Sequence, residues 1–218
     1  MFTEPNPHQN QPIASAGADL NSAKAVMIVI HGRGDSAENI LTLANEFGRN
    51  DIAYLAPQAA NHTWYPLSFM APMDQNEPGI TSGLRAVDEL VNYAGENGFD
   101  ASSVYLLGFS QGACLATEYV ARHPRKYAGV FGLSGGLIGP PATPRDYKGS
   151  LQNTHIFLGC SDIDPHIPVE RVHETAEVFE KMHAEVDKRI YEGMGHTVND
   201  DELHHIRQEL QKLDGQAV

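Results

Sequence analysis

The chain has 218 residues, 41% hydrophobic and 20% charged, which is enough for one well-buried domain and short for two. Its 15 basic and 28 acidic residues leave a formal net charge of −13, which argues against a nucleic-acid or anionic-membrane surface. No apolar run is long enough to span a membrane; the longest strong one covers residues 25–30.

Residues 1–11 are polar and proline-bearing, with neither a basic start nor an apolar signal core. Residues 1–22 are expected to form an N-terminal arm ahead of a single domain over 23–218. The β-branched run 24–30, ending in His31-Gly32, predicts a strand. Over 36–48 the apolar positions Ile40, Leu41, Leu43, Ala44 and Phe47 have helical spacing. A short strand over 52–56 is stopped by Pro57. A helix over 79–97 carries Ile80, Leu84, Val87, Leu90, Val91 and Ala94 on one face, with Gly98 as its stop. The strand at Val104 leads into a helix running to about Arg122, ahead of Pro124. Strands around Val130 and over 155–158, a helix over 169–184, a strand over 186–191 and a helix over 201–213 complete the chain. Strands alternating with helices predict an α/β fold: a mostly parallel twisted sheet of about six or seven strands with helices on both faces. Two long irregular segments, 57–78 and 135–153, are expected beyond strand C-termini, where ligands bind in such sheets.

Gly108-Phe109-Ser110-Gln111-Gly112 directly follows the apolar run Val104-Tyr105-Leu106-Leu107 and opens a helix. A serine at a strand-to-helix turn, with glycine two residues away on each side, is a nucleophile-elbow pattern and predicts a serine hydrolase. Gly132-Leu133-Ser134-Gly135-Gly136 matches the same pattern. It continues into Leu137-Ile138-Gly139-Pro140-Pro141, which cannot run on as a helix because proline lacks the amide donor. Ser134 therefore reads as a polar turn residue.

A serine hydroxyl needs a base within hydrogen-bond reach and an acid to orient that base. His196, in a glycine-containing turn just beyond the last strand, is the base the pattern favours. The acid belongs in the loop 159–168, where Asp162 and Asp164 compete. Asp164 is favoured because Pro165 holds it extended, whereas Asp162 reads as a turn cap. The backbone amides of Gln111 and Arg33 are the expected oxyanion-hole donors. Trp64, Tyr65, Phe69 and Met70 read either as an apolar substrate wall, with Trp64 and Tyr65 as the substrate-binding pair, or as local loop packing. Arg33 is also placed to attract an anionic substrate group.

Cys114 and Cys160 offer neither metal spacing nor a disulfide framework and read as small reduced core residues, which points to the cytoplasm. The histidines are scattered, and the adjacent pair His204 and His205 sits on a helix with side chains about 100° apart. No metal site is expected.

Val29-Ile30-His31-Gly32-Arg33-Gly34-Asp35-Ser36, the Ser110 pentapeptide, Asp164-Pro165-His166-Ile167-Pro168 and Gly195-His196 resemble the four signature segments of the α/β-hydrolase phospholipase/carboxylesterase family. That family includes the acyl-protein thioesterases, and the resemblance covers roughly residues 22–213. It implies an α/β-hydrolase domain; the stretch after Ser134, where many lipases insert a helical lid, is short here, so no large lid is expected. It also implies Ser110 as nucleophile, His196 as base, Asp164 as acid, Arg33 and Gln111 at the oxyanion hole, and ester or thioester hydrolysis without a cofactor. Arg33 departs from the small or apolar residue common there in the thioesterases, and Thr63-Trp64-Tyr65-Pro66 is similar to a bacterial esterase branch. The expectation is a serine carboxylesterase, monomeric or homodimeric, acting on a small ester through an acyl-enzyme. An acyl-thioesterase or lysophospholipase is the alternative, and a non-catalytic binding module of the same fold is the more distant one.

Overall fold

The computed structural model describes residues 5–215. Its strands are β1 (Ile13–Gly17), β2 (Ala25–Ile30), β3 (Ile52–Pro57), β4 (Val104–Phe109), β5 (Gly129–Leu133), β6 (His155–Ser161) and β7 (Glu185–Tyr191). Its α-helices are α1 (Ala37–Ile40), α2 (Leu43–Phe47), α3 (Gly79–Glu96), α4 (Gln111–Arg122), α5 (Val169–Lys181) and α6 (Asp200–Gln211). The strands form one seven-stranded sheet in the order β1-β3-β2-β4-β5-β6-β7. β1 runs antiparallel to β3 and every other pairing is parallel.

Strict alternation along the central strands feeds two separate cores. Val26, Ile28 and Ile30 of β2 pack with Leu84, Val87, Leu115 and Tyr119 of α3 and α4. The intervening Ala25, Met27 and Val29 pack with Ile40 and Phe47 of α1 and α2 and with Ile206 and Leu210 of α6. A strand buried on both faces must be apolar throughout, which is why β2 reads as a continuous hydrophobic run. At the edge, β7 carries Glu185, Asp187, Lys188 and Arg189, charges that discourage pairing with another strand.

Two expectations need correction. Residues 13–17 lie inside the segment read as an arm, yet they form strand β1, with Ile13 opposite Pro57 and Gly17 opposite Ala53. Its small side chains and half-exposed edge position give little hydrophobic signal. The helix expected over 36–48 is two short ones. Around Leu41 and Thr42 the amides bond three residues back, Thr42 to Asn39 at 3.0 Å and Ala44 to Leu41 at 3.0 Å, and this tighter winding breaks the helix.

The parallel strands deliver their following loops to one edge of the sheet. Arg33 lies beyond β2, Ser110 beyond β4, Asp164 beyond β6 and His196 beyond β7.

Candidate active site

The turn between β4 and α4 is possible only with glycine at two places. A Cβ on Gly108 would sit 2.3 Å from the carbonyl oxygen of Gly112, and one on Gly112 would sit 2.1 Å from that of Ile30. This packing forces Ser110 to φ 56° and ψ −120°, a strained conformation for a residue with a side chain. The strain aims the hydroxyl out of the sheet at the start of α4.

His196 Nε2 lies 2.8 Å from Ser110 Oγ, and His196 Nδ1 lies 2.7 Å from Asp164 Oδ2. The Asp164 carboxyl is fully buried. Burial alone would raise its pKa, but the His196 ring and the backbone amides of His166 and Ile167 outweigh that and hold it below the ordinary carboxylate value. An ionised Asp164 accepts from Nδ1–H, which leaves the Nε2 lone pair toward the serine hydroxyl. Phe109 flanks the imidazole at 5.0 Å and His166 meets it edge-on at 4.8 Å.

Asp162 is engaged elsewhere: its Oδ1 accepts from the amide of Gly193 at 2.8 Å. It pins the loop that carries His196 to the loop that carries Asp164. Ser134 has a positive φ of 50°, like Ser110. It is wholly buried, so substrate cannot reach it.

The loop after β2 lies against Ser110, since a Cβ on Gly32 would come within 3.4 Å of the Ser110 Cβ. Among the described residues, the amides of Arg33 and Gln111 have no acceptor within the protein. Above them opens a cleft of about 380 Å³, lined by Tyr65, Leu67, Phe69, Ile167 and Arg33, with Ser110 and His196 at its wall.

Residues 13–214 match the model of the family described as Phospholipase/Carboxylesterase. The chain belongs to that family. It is similar to acyl-protein thioesterase 1 of Kluyveromyces lactis, at 28% identity over 87% of this chain and 92% of the relative. It is also similar to the crystal structure of a phospholipase/carboxylesterase from Dyadobacter fermentans, with TM-score 0.88 and 39% identity over 95% of this chain and 97% of that one. Arabidopsis thaliana SOBER1 shares the fold, with TM-score 0.70 at 18% identity over 87% of this chain and 98% of that one. As a member of the phospholipase/carboxylesterase family the chain is a serine hydrolase, and ester hydrolysis is its chemistry.

In this family member Trp64 is not a wall of the cleft, and the substrate-binding expectation for it is corrected. It is wholly buried, its indole N–H donates to the carbonyl of His31 at 2.9 Å, and it lies between the rings of His31 and His8. An indole has one donor and a large apolar body, and here both are used to support the loop after β2 from beneath. Tyr65 does line the cleft with Phe69, whereas Met70 does not.

The Gln111 side chain explains how the segment is held. Its Oε1 accepts from the amide of Trp64 at 2.8 Å, and its Nε2 donates to the carbonyl of Tyr65 at 2.9 Å. Arg33 stitches the same segment from outside, donating to the carbonyls of Pro66 at 2.9 Å and Leu67 at 2.5 Å and to Thr63 Oγ1 at 3.1 Å. Three of its guanidinium N–H bonds are thus spent on the cleft wall. Leu67 and Ile167 carry no sequence signal that separates a cleft-lining residue from any other loop apolar residue.

Proposed function

We propose that the protein is a serine carboxylesterase for small, short-acyl esters, working through an acyl-enzyme on Ser110. The observation that carries this reading is the continuous hydrogen-bonded line Ser110–His196–Asp164 at the wall of the cleft. His196 Nε2 removes the Ser110 proton as Oγ attacks the ester carbonyl. The amides of Arg33 and Gln111 receive the developing oxyanion, and the helix start adds its positive end. The imidazolium, held by Asp164, passes the proton to the departing alcohol. Water then attacks the acyl-serine by the same route and releases the acid. The cleft is near the lower end of the roughly 300–1,000 Å³ range of small-molecule sites, which supports a short acyl group. No helix among the described residues is long and apolar enough to cross a membrane.

A second reading, acyl-thioester hydrolysis, is favoured by the yeast relatives named acyl-protein thioesterase 1. A panel of aryl esters and matched acyl thioesters of rising chain length separates the two. The expected result is an optimum at short esters and labelling of Ser110 alone by a fluorophosphonate. Ser110→Ala is expected to lose at least about 10⁴-fold in kcat. Turnover that survives in Ser110→Ala, or a native protein that takes no label, rejects the mechanism.

A further inference from the structure

At the edge of the sheet opposite the Ser110 cleft stands a group of side chains that the proposed hydrolysis does not use. His155 opens β6, while His205 and Glu209 are one turn apart on the same face of α6. One ligand atom from each of the three lies within 4.8 Å of the others. His155 Nδ1 is 3.5 Å from Glu209 Oε2, the two imidazoles stack with centroids 5.4 Å apart, and Phe157 stacks on His205 at 4.3 Å.

Two atoms in this group lack an explanation within the fold. His155 Nδ1 and His205 Nε2 are both buried and neither has a hydrogen-bond partner. His205 as a residue is 6% exposed. Buried polar atoms are normally satisfied, and one divalent cation shared by the two orphaned imidazole nitrogens and the carboxylate would satisfy all three.

We propose that His155 Nδ1, His205 Nε2 and the Glu209 carboxylate bind one zinc-class divalent transition-metal ion, which clips α6 to the start of β6. Two imidazoles and a carboxylate suit Zn²⁺ or Co²⁺, whereas Mg²⁺ and Ca²⁺ take oxygen ligands. Ligands bound at the roughly 2.0–2.2 Å of tetrahedral zinc stand about 3.3–3.6 Å apart, so separations of up to 4.8 Å need to close by at most about 1.5 Å. Burial lowers the pKa of both histidines and keeps them neutral, as ligands must be.

The surroundings set the limits of the site. Asp187 Oδ2 lies 3.4 Å from His205 Nδ1, so a proton on Nδ1 can go to that carboxylate and free Nε2 for the metal. Arg189 Nη2 also lies 3.1 Å from Nδ1 and donates to Asp187; its contact with the ring gives way in the bound form. Lys212 Nζ holds Glu209 Oε1 at 2.5 Å and leaves Oε2 free. These two cations oppose an incoming one and weaken its binding. A cavity of about 440 Å³ adjoins His155 and Glu209, giving the ion an entry path and water the remaining coordination position.

The test titrates the full chain, first stripped by a chelator, with Co²⁺ alone, read by visible absorption, and then displaces it with Zn²⁺ followed by calorimetry. One ion per chain with a tetrahedral Co²⁺ spectrum is expected, weakened at least about tenfold in Glu209→Gln and in His155→Gln. Imidazole nitrogen NMR of the unmutated protein supplies a readout free of any folding defect, in which Zn²⁺ shifts the rings of His155 and His205. The proposal is overturned if Zn²⁺ shifts other rings instead, if no tetrahedral spectrum develops, or if both variants bind with unchanged affinity.

Discussion

Asp162 and Asp164 sit two residues apart on one loop and serve different partners. Asp164 accepts from His196 Nδ1 at 2.7 Å, while Asp162 accepts from the Gly193 amide at 2.8 Å. Asp164→Asn is therefore expected to lower kcat by about 10³–10⁴-fold, because an amide cannot hold the imidazole in the productive tautomer. Asp162→Asn is expected to leave kcat within about tenfold and to lower the melting temperature by loosening the His196 loop. A larger activity loss in Asp162→Asn than in Asp164→Asn would reverse the assignment. At this scale Ser110, His196 and Asp164 were legible because the elbow glycines, the strand ends and the proline after Asp164 constrain backbone, and backbone constraints show in sequence. Trp64 was misjudged for the opposite reason. An aromatic residue in a loop looks the same whether it lines a cleft or supports one, and only the His31 carbonyl beneath it decides.

The elements differ in how much each tolerates. The junction of β4 and α4 has no spare volume at Gly112, where a methyl group would fall 2.1 Å from the Ile30 carbonyl. Gly112→Ala is expected to cost more than about 3 kcal/mol, by backbone displacement as well as overpacking. Gly95, in the last turns of α3, has nothing within 4 Å of the same position. Gly95→Ala is expected to stabilise by about 0.5–1 kcal/mol by narrowing the unfolded ensemble. Denaturant unfolding of the pair checks both signs, and equal effects would contradict the packing described for the elbow. The long, strongly amphipathic α3 was legible from periodicity alone. The break between α1 and α2 was not, because the apolar spacing of 36–48 continues through it while the hydrogen bonding changes.

For the molecule as a whole, the alternation of strand and helix disclosed the layered sheet. β1 escaped because an edge strand of small residues lacks the signal that double burial gives β2. Whole-chain stability also carries a pH term from Glu202, which caps α6 reciprocally with Asn199 and is wholly buried. Burial pushes its carboxyl from the ordinary 4.5 up to about 7. A raised acid pKa means the native state holds the proton while the unfolded state has lost it. Its contribution is therefore complete below about pH 4.5 and is lost as pH rises through about 7, by up to about 3 kcal/mol. Glu202→Gln is expected to flatten this decline, giving a variant more stable than the parent at pH 8 and no more stable at pH 4; parallel stability curves would exclude it. Trp64 has a consequence of a spectroscopic kind. It is the only tryptophan in the chain, it is shut away from solvent, and its backbone amide is held by the side chain of Gln111, next to Ser110. The tryptophan emission of the protein thus arises from one indole hydrogen-bonded, through its backbone amide, to the elbow. Under the proposed mechanism, acylation and deacylation of Ser110 are expected to register in that emission, without any introduced dye.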